Sequence, residues 1–162
     1  MKRKFYIFAG LLLIGFSSFA KTIKVGKQKQ FHSISQAITA AVNGDTILVD
    51  NGIYKEKNII INKSITLLGN NYPVLDGEHQ YEIISIKANH VTVKGFKFVH
   101  SGVSSLIDFA AIKIYNCRDV TISGNVLEDT FFGIYSQSGI NCLIENNTIT
   151  GIAKTEQASG NG

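Results

Sequence analysis

Residues 119–127 spell DVTISGNVL, and variants of this phrase return along the chain. NCLIENNTI occupies 141–149, HVTVKGFKF occupies 90–98, and SITLLGNNY occupies 64–72 in a looser form. The starts are 26, 29 and 22 residues apart, the spacing of a repeat architecture whose units stack on one another. Aligned by position, the second and fourth residues are Ile65/Leu67, Val91/Val93, Val120/Ile122 and Cys142/Ile144, while the third is Thr66, Thr92, Thr121 or Leu143. Alternation of period two in β-branched residues predicts a short strand with one buried face.

The sixth position holds Gly69, Gly95, Gly124 and Asn146, the residue types that accept a left-handed backbone most readily, so each copy is expected to bend there. The seventh holds Asn70, Phe96, Asn125 and Asn147, a broken asparagine ladder in which amides of successive coils bond. The ninth, Tyr72, Phe98, Leu127 and Ile149, is expected to return to the interior. A second strand precedes each phrase: AIKIYNCRDV (111–120) superposes on GIYSQSGINC (133–142), and EIISIKANHV (82–91) matches with one residue fewer. No helix-length apolar pattern separates these strands, so βαβ crossovers are excluded and the fold class is all-β, a right-handed parallel β-helix. The extra residues HSGVSSLID (100–108) form a loop leaving one coil, and loops on rigid scaffolds commonly carry function.

SISQAITAAVNGD (33–45) differs from the repeats. Ser33 and Gln36 have capping-box spacing, Ile34, Ala37, Ile38 and Ala41 share one face, and Asn43–Gly44 ends the segment, predicting a short helix that lids the first coil. TILVD (46–50) is expected to begin the first strand. At the other end IAKTEQASGNG supplies no lid, so the final coil is expected either to lack further coils that would cover it or to be capped by a partner.

Residues 1–20 combine Lys2, Arg3 and Lys4, the apolar run FYIFAGLLLIGF and the small residues Ser18 and Ala20. That is the pattern of a signal peptide cleaved before Lys21, which predicts export to the periplasm and a mature chain, 21–162, that spans no membrane. Removal of the leader takes Lys+Arg from 16 to 13 against 12 Asp+Glu, leaving +1, so a nucleic-acid partner has no electrostatic support. Cys117 and Cys142 fall at non-equivalent repeat positions, too far apart for disulfide geometry, and are expected to be free thiols with Cys142 in the core.

Catalysis on polysaccharide in such a fold needs converging carboxylates, or calcium with a basic residue. Asp108, Asp119, Glu128, Asp129 and Glu145 show no convergent pattern; Asp119 shares its position with His90 and Asn141, Asp129 shares its own with His100 and Gly151, and both suit solvated turns. Arg118 is expected to pair with its neighbour Asp119 on the surface. Of the histidines 32, 79, 90 and 100, none has metal-ligand spacing in sequence, and His79 and His100, beside and at the mouth of the long loop, are the ones singled out as possible ligands.

GDTILVDNGIYKEKNIIINKSITLLGNNYPVLDGE (44–78), with YEIISIKANHVTVKGFKF and EDTFFGIYSQSGINCLIENNTI, resembles the NosD family, periplasmic maturation proteins of nitrous oxide reductase. The resemblance implies a non-catalytic scaffold that helps assemble a copper-sulfide centre. Copper would be a transient ligand, and the partners would be the reductase, the ATPase and membrane subunits of an ABC transporter, and a copper chaperone. GDTI, GIY and Glu56 recur also in pectin methylesterase-like β-helices, so a polysaccharide lyase or esterase, or a carbohydrate-binding solenoid, is the alternative. Tyr54, Tyr81, Tyr115 and Tyr135 are candidates for an aromatic row on such a surface, although they do not share one repeat position.

Overall fold

The computed structural model describes residues 20–104 and 106–151; the expected signal peptide, but for residue 20, and residues 152–162 lie outside the described residues. Among the described residues fifteen strands form three parallel sheets, and a solenoid of about six turns with one short helix results. The first sheet stacks β1 (Thr22–Val25), β2 (Thr46–Val49), β5 (Thr66–Gly69), β8 (Thr92–Lys94), β11 (Thr121–Ser123) and β14 (Leu143–Glu145). The second stacks β3 (Ile53–Tyr54), β6 (Val74–Asp76), β9 (Lys97–Val99), β12 (Val126–Glu128) and β15 (Thr148–Thr150). The third stacks β4 (Ile59–Ile61), β7 (Ile84–Ile86), β10 (Ala110–Tyr115) and β13 (Phe132–Gln137). TILVD is therefore the second strand; β1, which the repeat pattern did not reveal, pairs with it in register.

Register turns the repeated phrase into columns. Ile23, Ile47, Leu67, Val93, Ile122 and Ile144 lie one above another, and the alternate column is Thr22, Thr46, Thr66, Thr92, Thr121 and Leu143. From Ile47 to Ile122 the aliphatic column is sealed from solvent, and each such side chain contributes about 1.5–3 kcal/mol of burial. Leu75, Phe98, Leu127 and Ile149 form a second column, and Ile61, Ile86 and Ile114 a third. Tyr72 does not join the second column as expected: it is 51% exposed in a left-handed turn, and Leu75 takes the interior place three residues later. Ile144 and Ile149 continue these columns into the last described coil, where both are exposed.

Helix α1 (Ile34–Ala40) packs against β1, β2 and β4 through Ile34, Ala37 and Ile38. Ser33 caps it by accepting the Gln36 amide, as its spacing predicts. Glu56, from the following coil, adds a cap that local sequence does not disclose: its carboxylate accepts from the amides of Ile34 (2.6 Å) and Ser35 (3.0 Å) and from the Ser33 hydroxyl (2.8 Å). Lys63 donates to the Ile38, Thr39 and Ala41 carbonyls at the other end, where the helix stops short of Asn43–Gly44. Asp45, fully buried, accepts the Val42 and Lys21 amides; these bonds hold its pKa below the usual carboxylate value.

Of the four expected bends, Gly95 (φ 80°), Gly124 (φ 61°) and Asn146 (φ 54°) are left-handed, and Gly69 is not. Gly69 ends β5, and glycine is needed there for room: a Cβ would run into the Gly95 carbonyl and lie 2.8 Å from Pro73 Cδ. Gly124 is the opposite case, with nothing within 4 Å of a Cβ. Its substitution by Val is expected to cost about 2 kcal/mol from backbone strain alone, measured as a lowered urea midpoint; an unchanged midpoint would refute the bend.

Both thiols are free, but their burial reverses the expectation. Cys117 is 4% exposed and packs in the core, where its Sγ lies 2.9 Å from the Tyr115 carbonyl, whereas Cys142 is only partly buried in the last described coil. Desolvation raises the Cys117 pKa, which keeps the thiol protonated and unreactive.

Candidate functional site

Two clusters flank the long loop. The first lies on the outward side of the third sheet. Ile84 and Ile86 face the core on either side of Ser85, and Ile112 and Ile114 do so on either side of Lys113, so strand alternation sends Ser85 and Lys113 outward. Both are nevertheless buried, Ser85 hydrogen-bonding to Asn58 and Glu82 and Lys113 reaching Glu82 and Asp108. The Lys113 ammonium donates to the Asp108 carbonyl (3.2 Å) and lies 3.9 Å from the buried Glu82 carboxylate. Glu82 also accepts from the Ser85 hydroxyl and from Tyr115 OH (3.1 and 3.2 Å). Burial, with the Glu82 charge beside it, pushes the Tyr115 hydroxyl up to about 12, so Tyr115 remains a donor. The base of the loop is pinned by Ser101 Oγ accepting the Phe131 amide (2.8 Å) and by Gly102 N–H on the Tyr81 carbonyl (2.8 Å), while Val103, Leu106 and Ile107 are exposed at its tip.

Cations and aromatic rings pair across successive coils on this side. Lys57 lies 5.9 Å from the Tyr81 ring centroid, Lys87 5.1 Å from Tyr115, and Lys113 4.9 Å from Tyr135 and 5.0 Å from Tyr115. Lys113 and Tyr135 are register partners on β10 and β13, and Lys87 follows the Ile86–Ile114 pair, which brings it opposite Tyr115. Phe132 adds a ring 5.6 Å from Tyr135. Parallel stacking thus brings Tyr115 and Tyr135 to either side of Lys113, although they occupy unequal repeat positions; Tyr81 precedes β7, four residues before the Ser85 that is level with Lys113, and so lies toward the other end of the sheet. Tyr54 lies on another sheet, its hydroxyl donating to the Asp50 carbonyl.

The second cluster lies where strands of the second sheet end. His100 follows β9, Asp129 follows β12, and Asp76 ends β6, so three consecutive coils bring them together; His79 joins from the turn after β6. The His79 and His100 ring centroids are 4.6 Å apart. Asp129 Oδ2 lies 3.9 Å from His79 Nε2 and 3.7 Å from His100 Nε2, while His100 Nδ1 is 2.9 Å from Asp76 Oδ1. Burial raises the Asp76 pKa, but the Glu78 amide, His100 and Lys55 outweigh it and hold the carboxyl below its usual value. Asp129 Oδ1 and Thr130 Oγ1 are buried with no hydrogen-bond partner among the described residues.

The structure therefore brings together the two histidines singled out in the sequence and adds Asp129, read there as a turn residue. Its shared repeat position with His100 was the available signal. The other candidates are dispersed: His32 Nδ1 meets the Gly26 carbonyl, and Glu128 pairs with Lys97. The expected Arg118–Asp119 pair is not formed among the described residues; Asp119 instead meets His90 (3.4 Å) and accepts from Asn141 (2.5 Å) one coil away on each side.

No family model matches the chain. A cell surface glycoprotein of Methanothermus fervidus is 31% identical over 136 residues, which cover 80% of this chain and 22% of that protein. The chain thus spans about a fifth of the length of that relative. Two structures of pectin methylesterase from Aspergillus niger align over 80% of this chain and 52% of theirs at 19% identity, with TM-scores of 0.45 and 0.43. Among the described residues no helix is long and apolar enough to cross a membrane.

Proposed function

We propose that this protein is an extracytoplasmic β-solenoid whose third-sheet face binds acidic polysaccharide. The observation that carries this reading is the pairing of Lys87 with Tyr115 and of Lys113 with Tyr135 in adjacent coils of this sheet. Tyrosine rings offer apolar faces to the C–H side of sugar rings, and the exposed Lys87 ammonium beside Tyr115 meets a uronate carboxylate, while the buried Lys113 supports the two rings. Tyr115, held by Glu82, has little orientational freedom to lose on binding. A relative at the cell surface is consistent with exposure to such polymers. Esterase or lyase chemistry would be an addition to this binding, tested on the same sample by release of methanol or of unsaturated sugar.

Titration calorimetry with polygalacturonate is expected to give binding that weakens with salt and is absent for neutral dextran. Combined Tyr115→Ala and Tyr135→Ala substitution is expected to weaken it by about tenfold or more, and Lys87→Ala to reduce its salt dependence. Equal affinity for dextran, or full affinity in the double variant, would overturn the reading.

A second reading is favoured by the His79–His100–Asp129 cluster. A NosD-type accessory role in nitrous oxide reductase maturation would use a copper-handling surface, with the reductase, an ABC transporter and a copper chaperone as partners. Its test is the copper content of the reductase from a strain lacking this gene: loss of the copper-sulfide centre alone supports the role, and normal content and activity remove it.

A further inference from the structure

We propose that His79, His100 and Asp129 form a binding site for one divalent transition-metal ion of the Zn2+ or Cu2+ class, with Asp76 as the residue that orients His100. The geometry of the second cluster carries this site independently of the polysaccharide reading. One ligand atom from each of the three residues lies within 4.8 Å of the others. Four-coordinate metal with bonds of about 2.0–2.1 Å sets its ligands about 3.4 Å apart. The two His–Asp separations, 3.7 and 3.9 Å, are slightly longer than that and too long for hydrogen bonds. The three groups therefore converge without bonding one another, and a small rotation of His79, the most exposed of them, would complete the coordination distances.

The chemistry of each donor agrees. Asp76 is an acceptor 2.9 Å from His100 Nδ1, so it selects the tautomer with hydrogen on Nδ1 and leaves the Nε2 lone pair directed at Asp129. Metal-binding histidines are oriented by carboxylates in this way. Two imidazoles and one carboxylate form a borderline donor set that suits zinc or copper, whereas calcium and magnesium require oxygen ligands. The second Asp129 oxygen provides an independent sign: Oδ1 is buried without a partner among the described residues, leaving lone pairs that a cation on the carboxylate would stabilise. Three protein donors on a solvent-facing edge leave a position for water, so the ion would be exchangeable.

The test is calorimetric titration of the chelator-treated mature protein with ZnCl2, accompanied by the visible spectrum of the Co2+ form. One ion per chain and tetrahedral Co2+ absorption are expected, with no competition from millimolar Ca2+. His79→Ala and Asp129→Asn should each weaken Zn2+ binding by more than about 100-fold, and Asp76→Asn by about 10–100-fold as an orienting partner. His90→Ala, which removes a histidine from a different column, should leave affinity unchanged. Circular dichroism verifies folding; the exposed His79 and the isosteric Asp129→Asn keep the test informative if other variants fail. Absence of stoichiometric Zn2+ binding, an equal loss in His90→Ala, or full affinity in Asp129→Asn would overturn the site.

Discussion

Replacing Asn125 by Ala is expected to lower stability by about 3–5 kcal/mol, because its amide is a buried connector between three coils. Its Oδ1 accepts the Phe96 amide (3.0 Å), and its Nδ2 donates to the Val93 carbonyl (3.1 Å) and to Asn147 Oδ1 (3.0 Å). Asn125 is 1% exposed, so water cannot replace these bonds. Truncation strands a buried backbone donor and a buried acceptor, each costing about 1–3 kcal/mol, and leaves a void. Asn125→Asp should fall between, since it can still accept from Phe96 but cannot donate to Val93. Urea unfolding measures both variants; a loss below about 1 kcal/mol for Ala would show that the rung is not a structural connector.

Gly69 and Gly124 should respond oppositely to the same substitution. Asparagine tolerates left-handed backbone and stands naturally at the equivalent position 146. Gly124→Asn, placed in open space at φ 61°, is expected to change stability by less than about 1 kcal/mol. Gly69→Asn instead drives a side chain into the backbone of the coil above, where no rotamer change relieves the Gly95 contact. A loss of about 3 kcal/mol or failure to accumulate folded protein is expected. Equal midpoints for the two variants would contradict the separation of roles.

The asparagine rung illustrates how far the repeat pattern reaches. Positions 70, 96, 125 and 147 align, yet the amide ladder forms only between Asn125 and Asn147, with Asn147 donating in turn to the Ile122 carbonyl. Phe96 fills its place as a buried ring, and Asn70 is exposed because the turn through Asn71, Tyr72 and Pro73 carries extra residues. A column position specifies a neighbourhood, while the lengths of the intervening turns decide whether a side chain points into it. The same cause left Tyr72 outside and Leu75 inside.

Sequence by itself determined the solenoid, the strand faces, the capping segment and the bends at Gly95, Gly124 and Asn146. These follow from alternation, cap spacing and backbone tolerance, which are local properties repeated in each coil. Only the tertiary structure decided that His79 and His100 meet Asp129, that Glu56 closes α1, that Lys113 is buried against Glu82, and that Gly69 is required for space. Each of these depends on contact between residues of different coils. Coils of unequal length hide those contacts from any fixed spacing, because parallel register, rather than distance along the chain, sets which residues become neighbours.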